Sequence, residues 1–359
     1  MLKVIHIVGA RPQFIKAAAL SRQMKKQGGF REVMVHTGQH FDENMSDVFF
    51  REMEISKPDY KLDVHSLSHG AMTGRMLEKI EKVLLQEKPD VVVVYGDTNS
   101  TLAGTLAASK LHLKLAHVEA GLRSFNMRMP EEVNRIVADR LSQYLFCPSS
   151  VALKNLEAEG FKSMPNRLVH CGDVMYDAAL YYAPLAAAKS KLLAKLNLNE
   201  YFLATLHRSE NTDDPVRLKS IVHSLNRINK SVPVVLPLHP RTQKALHELG
   251  LHFEGVTIGP VGYFDMIELI RHCSLVLTDS GGLQKEAYFF QKHCVTLRDE
   301  TEWTELVELG FNKLAGADEE KIALAAEEMK AKKSDFSHDL FGGGKACEVI
   351  TKTLLDYRY

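Results

Sequence analysis

The sequence has little of what marks a secreted, membrane-embedded or metal-dependent protein. No apolar run approaches the roughly 20 residues needed to span a bilayer. The start, MLKVIHIVGARP, has only a short apolar run before Arg11 and none of the charged, apolar and cleavage regions of a secretory signal. The five cysteines, Cys147, Cys171, Cys273, Cys294 and Cys347, are widely scattered and form no CxxC pair. Reduced thiols in a cytoplasmic protein are therefore expected, and no zinc site. Neither sign of charge is in excess: Lys+Arg and Asp+Glu both number 45. No global field draws the chain to nucleic acid or to an anionic membrane, so neither is an expected partner. Several motifs are also missing. GARPQF after the first apolar run is not GxGxxG, which argues against a tightly bound dinucleotide, and no P-loop or GxSxG elbow occurs. No cofactor and no metal are expected.

What is present is a repeating alternation of short apolar runs, polar loops and amphipathic stretches over 359 residues. The runs predict strands at Lys3–Val8, Glu32–Thr37, Val91–Tyr95, Lys114–Val118 and Leu145–Cys147. A second set follows at Tyr201–Thr205, Pro233–Leu236, Val256–Ile258, Leu275–Thr278 and Cys294–Thr296. Continuous runs such as VVVVYGD suit strands covered on both faces of a parallel sheet. Helices are predicted between them, for example over Thr73–Gln86, Thr98–Leu111 and Pro215–Ile228. Alternation of this kind predicts an α/β protein with two Rossmann-like, doubly wound domains facing a cleft. The Ala/Lys-rich stretch between residues 172 and 200 contains no strand and is read as the connection. The expected domains are 1–172, with a terminal helix over 343–359 returning to it, and 173–342.

In open α/β sheets ligands lie beyond the carboxyl ends of the strands. The residues there are Gly9-Ala10-Arg11-Pro12 with Lys16 a turn later, Gly96-Asp97-Thr98, Glu119-Ala120-Gly121-Leu122-Arg123, His207-Arg208, His239-Pro240-Arg241 and Thr278-Asp279-Ser280-Gly281-Gly282. Six strand ends bearing charged or hydrogen-bonding groups point to a polar, anionic ligand. TDSGGLQKE is the most specific of them. Ser280 caps a helix that starts at Gly281, the two glycines open backbone N–H groups to an anion, and the helix dipole adds positive potential. Glu286, one to two turns on, suits a ribose diol. The plainer reading of this stretch is an ordinary N-cap followed by an exposed glutamate.

Asp97, Glu119 and Glu131 are three carboxylates near the expected cleft, and with His207 they make an acid–base set. Glu131 follows Pro130 and belongs in the first turn of a helix, where the dipole favours its ionised form. Each taken alone also reads as a cap or a solvated charge, and Asp97-Thr98 also reads as a plain helix start. Arg11, Lys16, Arg123 and Arg135 are the local cations. For Arg123 and Arg135 the alternative is an ion pair at the surface; for His239 and Arg241 it is a loop cap.

Together GARPQFIK, HTGQHFDENM, VYGDTNSTLAG, HVEAGLRS, PEEVNR and TDSGGLQKEA resemble the non-hydrolysing UDP-N-acetylglucosamine 2-epimerases, in order and over nearly the whole chain. The resemblance implies two Rossmann-like domains in the arrangement of B-type glycosyltransferases, with UDP held mainly by the second. It implies that Asp97, Glu119, Glu131 and His207 are catalytic, that Arg11, His239, Ser280, Gly281, Gly282 and Glu286 hold UDP, and that Lys16 lies near the site. Two stretches depart from the usual pattern. SFNMRM (Ser124–Met129) replaces a longer segment containing Tyr-Ser-Pro-Trp, and TEWTELVE stands where TTERPE is typical. Both variants look like the subgroup acting on UDP-2,3-diacetamido-2,3-dideoxyglucuronate, whose carboxylate could pair with Arg128. Gln39, His40 and Arg75 match the family's regulatory site, whereas Phe41 and Asp42 depart from it.

The expected activity is inversion at C2 of a UDP-linked N-acetylhexosamine, either UDP-2,3-diacetamido-2,3-dideoxyglucuronate or UDP-N-acetylglucosamine, by elimination and re-addition of UDP. The expected setting is a cytoplasmic homodimer making precursors of cell-surface polysaccharide such as O-antigen. A B-type glycosyltransferase using a UDP-sugar would share the fold and the nucleotide site but would not need several acid–base groups. A non-catalytic nucleotide-sugar sensor would need none.

Overall fold

The structure, a computed structural model, describes residues 1–39 and 57–356. The chain divides into two compact units, Met1–Leu180 with Asp339–Tyr359, and Tyr181–His338. The sequence places the divisions at 172/173 and 342/343. In the structure the first division falls within one helix, Val174–Lys189, and so gives its start to one unit and its end to the other.

The first unit is built on seven parallel strands: β1 (Leu2–Val8), β2 (Phe30–His36), β3 (Tyr60–Lys61), β4 (Val91–Tyr95), β5 (Lys114–Val118), β6 (Tyr144–Cys147) and β7 (Arg167–His170). Their order is β3-β2-β1-β4-β5-β6-β7. Every residue of β4 is buried, as a strand covered by helices on both faces must be. Ile5, Ile7, Val33, Val35, Val92, Val94 and Leu115 line one face of this sheet and form a single core with Met76, Ile80 and Ala107. The helix Ala346–Leu355 belongs to this unit, and Leu355 reaches Gly29 beside the first strand.

The second unit has six parallel strands: β8 (Phe202–Thr205), β9 (Val234–Pro237), β10 (Val256–Ile258), β11 (Leu275–Thr278), β12 (Cys294–Thr296) and β13 (Asn312–Leu314), in the order β10-β9-β8-β11-β12-β13. Alternate residues of its strands enter two different cores. Phe202, Ala204, Val234, Leu236, Leu275 and Leu277 face one. Leu203, Val235 and Val276 face the other. Helices therefore cover both faces, which makes the unit doubly wound.

In both sheets the strand order reverses direction once, between β1 and β4 and between β8 and β11. Such a switch point opens a crevice at the carboxyl ends of the two strands on either side of it. Gly9 and Gly96 follow the pair in the first unit, and His207 and Ser280 lie just past the pair in the second. Three observed strands, β3, β7 and β13, have no counterpart among those expected. They are short edge strands with few fully buried residues, so the apolar signal that marks a strand is weak in them.

Candidate active site

The first switch point is tied together by Gln13, in the first turn of the helix Arg11–Gln27. Its Oε1 accepts from the backbone N–H groups of Gly9 (2.8 Å) and Ala10 (3.0 Å). Its Nε2 donates to the Tyr95 carbonyl at 2.7 Å and to Thr98 Oγ1 at 2.9 Å. One buried amide thus holds the loop after β1 against the loop after β4. A Cβ on Gly9 would lie 2.1 Å from Ser100 Oγ and 2.2 Å from Thr37 Oγ1, so only glycine fits at this approach. Arg11 is half-buried as the first helical residue.

Lys16, one turn further, is buried and its ammonium pairs with Glu119 Oε2. Glu119 holds φ 75°, a left-handed backbone conformation that costs a non-glycine residue energy and clusters at functional sites. A Cβ on Gly96 would be 3.1 Å from Glu119 Oε2 and 3.5 Å from Lys16 Nζ, so these three residues abut. Asp97 follows at once. Its Oδ2 accepts from Arg135 Nε at 3.1 Å and from Arg135 Nη2. Arg135 is buried and donates through Nη1 to Glu132 Oε2 at 2.9 Å. Both proposed carboxylates of this sheet edge therefore carry a cation of their own.

Glu131 and Glu132 share the first turn of the helix Pro130–Leu141 and differ in surroundings. Glu132 is buried and accepts from the Ser124 N–H (2.9 Å), Ser124 Oγ (2.9 Å) and the Phe125 N–H (3.0 Å). It anchors the base of the loop Ser124–Met129. Glu131 is half-buried and has no side-chain partner among the described residues. Glu132 and Gln13 lie within the motifs PEEVNR and GARPQFIK, but the sequence assigns them no role there; their burial with several hydrogen bonds reveals it.

Arg123 takes a place other than the ligand contact or the surface pair expected of it. It is buried, donates from Nη1 to Asp139 Oδ2 at 2.7 Å, and grips Glu159 with Nε at 2.6 Å and Nη2 at 2.8 Å. Burial draws its guanidinium down, and Glu159 and Asp139 outweigh that and raise it. Arg128 lies exposed in the loop Ser124–Met129 with no side-chain partner among the described residues. Gln39 accepts through Oε1 from Ser100 N (3.0 Å) and Ser100 Oγ (2.8 Å), which packs it on the start of the helix Asn99–Lys110. Arg75 is exposed on the helix His69–Glu87. His40, Phe41 and Asp42 lie outside the described residues.

In the second unit Ser280 is the N-cap of the helix Gly281–Phe289, its Oγ accepting from Leu283 N at 3.4 Å. Gly282 is exposed, and Glu286 is buried five residues into the helix. Trp303 donates its Nε1–H to the Gly281 carbonyl at 2.9 Å, and a Cβ on Gly281 would fall 2.2 Å from Glu302 Oε1. The TEWTELVE stretch thus braces the glycine turn from behind. His207 lies across the switch point. Its Nδ1 is 3.5 Å from Asp279 Oδ1, and its ring lies 5.8 Å from that of His239. Asp279 is fully buried and also accepts the His207 N–H at 3.1 Å and the Arg208 N–H at 3.0 Å. It fixes the backbone from which His207 projects, a role not assigned to it from the sequence. The His239 side chain caps its own helix by accepting from Arg241 N at 3.2 Å, and Arg241 pairs with Asp213 at the surface. The cap is the plainer of the two readings set out for that loop.

All five cysteines are buried and unpaired. No helix among the described residues is long and apolar enough to cross a membrane.

Residues 22–355 match the family model for UDP-N-acetylglucosamine 2-epimerase. The chain is 56% identical to the UDP-2,3-diacetamido-2,3-dideoxy-D-glucuronate 2-epimerase of Pseudomonas aeruginosa, over 98% of this chain and 99% of that one. It is 43% identical to the UDP-N-acetylglucosamine 2-epimerase of Methanocaldococcus jannaschii, over the full length of both. A crystal structure of the M. jannaschii UDP-GlcNAc 2-epimerase, in complex with UDP-GlcNAc and UDP, is similar with a TM-score of 0.92, covering 99% of this chain and 100% of that one. On this evidence the chain belongs to the UDP-N-acetylglucosamine 2-epimerase family.

Proposed function

We propose that this protein inverts C2 of a UDP-linked acetamido sugar, and that the sugar is UDP-2,3-diacetamido-2,3-dideoxyglucuronate. The observation that carries the reading is the 56% identity over nearly both full lengths to the enzyme of that name. The altered loop Ser124–Met129 with its exposed Arg128 favours the same sugar.

The C2 hydrogen is not acidic enough for simple removal, so the reaction proceeds by elimination. A carboxylate takes the proton from C2, the C2–H electrons form a C1=C2 double bond, and the C1–O bond breaks with its pair going to UDP. In the return step C2 receives a proton on the other face while the UDP oxygen re-forms its bond to C1. Only a proton and UDP move, so the chemistry requires neither a redox cofactor nor a metal. It requires acid–base groups and firm retention of UDP. Asp97, Glu119, Glu131 and His207 are assigned the proton transfers. Ser280, Gly281 and Gly282 are assigned the diphosphate, Glu286 the ribose, and Arg11 and His239 further contacts to UDP. Lys16 and Arg135 serve as counterions of Glu119 and Asp97.

The glycosyltransferase alternative has no use for three carboxylates and a histidine at strand ends and helix starts. One experiment separates the two. Incubated with the UDP-sugar alone in deuterated water, an epimerase places deuterium at C2 without an acceptor. Absence of label would overturn the reading. The proposal extends to a cytoplasmic homodimer supplying a cell-surface polysaccharide precursor, and sedimentation of the purified protein tests the dimer.

A further inference from the structure

One buried histidine of the first unit has no part in the roles assigned so far. His117 is the fourth residue of β5, and its side chain is fully buried. Nδ1 lies 2.7 Å from Asp139 Oδ1, and Nε2 lies 2.7 Å from the Gly96 carbonyl oxygen. A carbonyl only accepts, so Nε2 carries a hydrogen. Asp139 is an acceptor as well. It takes hydrogen bonds from Arg123 Nη1 at 2.7 Å and from the Gly121 N–H at 3.1 Å. Burial pushes its carboxyl up, and His117 and Arg123 outweigh burial and leave it below the ordinary aspartate range. Facing a carboxylate, Nδ1 carries a hydrogen too. A ring protonated on both nitrogens is an imidazolium. Asp139, the shared acceptor, lies between the ring and the Arg123 guanidinium, which in turn reaches out to Glu159.

Gly96 is where this network meets the reacting groups. It holds φ 58°, its N–H donates to the Val118 carbonyl at 2.9 Å, and its carbonyl accepts from His117. Both polar groups of the residue before Asp97 are thus fixed by β5, the strand that runs up to Glu119. In a trans peptide the N–H points opposite to the carbonyl. The bond from His117 therefore turns the Asp97 N–H away from the strand, and that N–H meets no acceptor among the described residues.

We propose that His117 is a positioning residue: as a buried imidazolium it locks the Gly96–Asp97 peptide and so presents the Asp97 N–H and carboxylate to an oxygen-bearing sugar substrate. The orientation part rests on the epimerase reading, in which Asp97 faces substrate; the charge state of the ring does not. With a neutral ring one of its two bonds is lost, either the one to Asp139 that orients the ring or the one to Gly96 that holds the peptide.

The test uses the full-length protein with 15N-labelled histidine. At neutral pH one histidine is expected to show both ring nitrogens protonated, and that signal to vanish in His117→Gln. In kinetics the glutamine amide can still donate to the Gly96 carbonyl without the charge, whereas His117→Phe cannot donate at all. We expect kcat to fall about tenfold in His117→Gln and about a hundredfold in His117→Phe, with UDP affinity kept within about twofold. A neutral His117 ring overturns the proposal, as does an unchanged kcat in His117→Gln or a loss of UDP affinity parallel to kcat. If His117→Phe does not fold, the wild-type spectrum and the glutamine variant decide. Failure of the wild type to place deuterium at C2 would remove the epimerase reading and with it the role in orienting Asp97.

Discussion

Glu119 sits at the end of β5 in a left-handed backbone conformation, and its carboxylate pairs with the buried ammonium of Lys16, 103 residues earlier in the chain. The strain has a use if the carboxylate must stand at one point and stay ionised. Lys16→Met is then expected to lower kcat about a hundredfold, as Glu119→Gln does, because general acid–base help of that size is lost in either case. The double variant should be little worse than the singles, since groups acting as one unit are not additive. Steady-state rates of the three variants check this, and fully additive losses would separate the two residues.

His207 and Glu131 differ from the other candidates in having open surroundings. His207 keeps a 40% exposed side chain over the buried Asp279, and Glu131 has no side-chain partner among the described residues. His207→Ala and Glu131→Gln are each expected to reduce turnover by at least about a hundredfold. Rates near wild type in both would remove them from the acid–base set. Asp279→Asn should also lower kcat, because it weakens the acceptor that fixes the His207 backbone.

Glu286 lies on the helix begun by Ser280 and is buried rather than solvated. A carboxylate holding ribose binds ground state and transition state alike, so Glu286→Ala should raise KM more than it lowers kcat. Calorimetric titration with UDP measures this directly. Unchanged affinity would remove the ribose assignment.

Much of this arrangement could be read before any coordinates. The valine run of β4, the serine–glycine helix start and the glutamate after Pro130 announce themselves, because strand burial, capping and dipole preference act over a few residues. What escaped the sequence acts at a distance. Gln13 reaches Tyr95 82 residues away, Glu132 fastens a loop, and Asp279 holds the backbone of His207, yet nothing in the local window of any of them says which group it will hold. Arg123 misled for the same reason. Its position after a strand end suggests a ligand contact, while Asp139 and Glu159, which hold it, are 16 and 36 residues away.

Asp139 also sets an expectation for acid stability. Its folded pKa is lowered, burial opposing the shift and His117 and Arg123 driving it. A lowered folded value stabilises the native state above the unfolded value of about 3.9, and that contribution fades as pH falls below it toward the folded value. Asp139→Asn removes the buried carboxylate that faces both His117 and Arg123 and should destabilise the protein at neutral pH by about 3–5 kcal/mol. The variant should also lose part of the decline in stability on acidification. Denaturant melts at neutral and acidic pH check both, and an unchanged midpoint at neutral pH would mean that the network contributes no stability.

The last expectation concerns the sugar. The base of the loop Ser124–Met129 is pinned by Glu132, while Phe125 and Met127 are 75% and 62% exposed and Arg128 is exposed beside them. A loop fixed at its root with a cation near its tip can meet a carboxylate on C6 of the substrate. A charge-assisted hydrogen bond there, partly shielded from water, contributes roughly 1.5–3 kcal/mol, a factor of about ten to a hundred in kcat/KM. The uronate sugar should therefore be preferred over UDP-N-acetylglucosamine by that factor, and Arg128→Met should reduce the preference by lowering kcat/KM for the uronate alone. Measuring both sugars with both proteins separates the two claims. A ratio that does not move in Arg128→Met leaves the arginine as a solvated charge on the loop. Equal turnover of the two sugars by the wild type means that the loop does not select for the carboxylate at all.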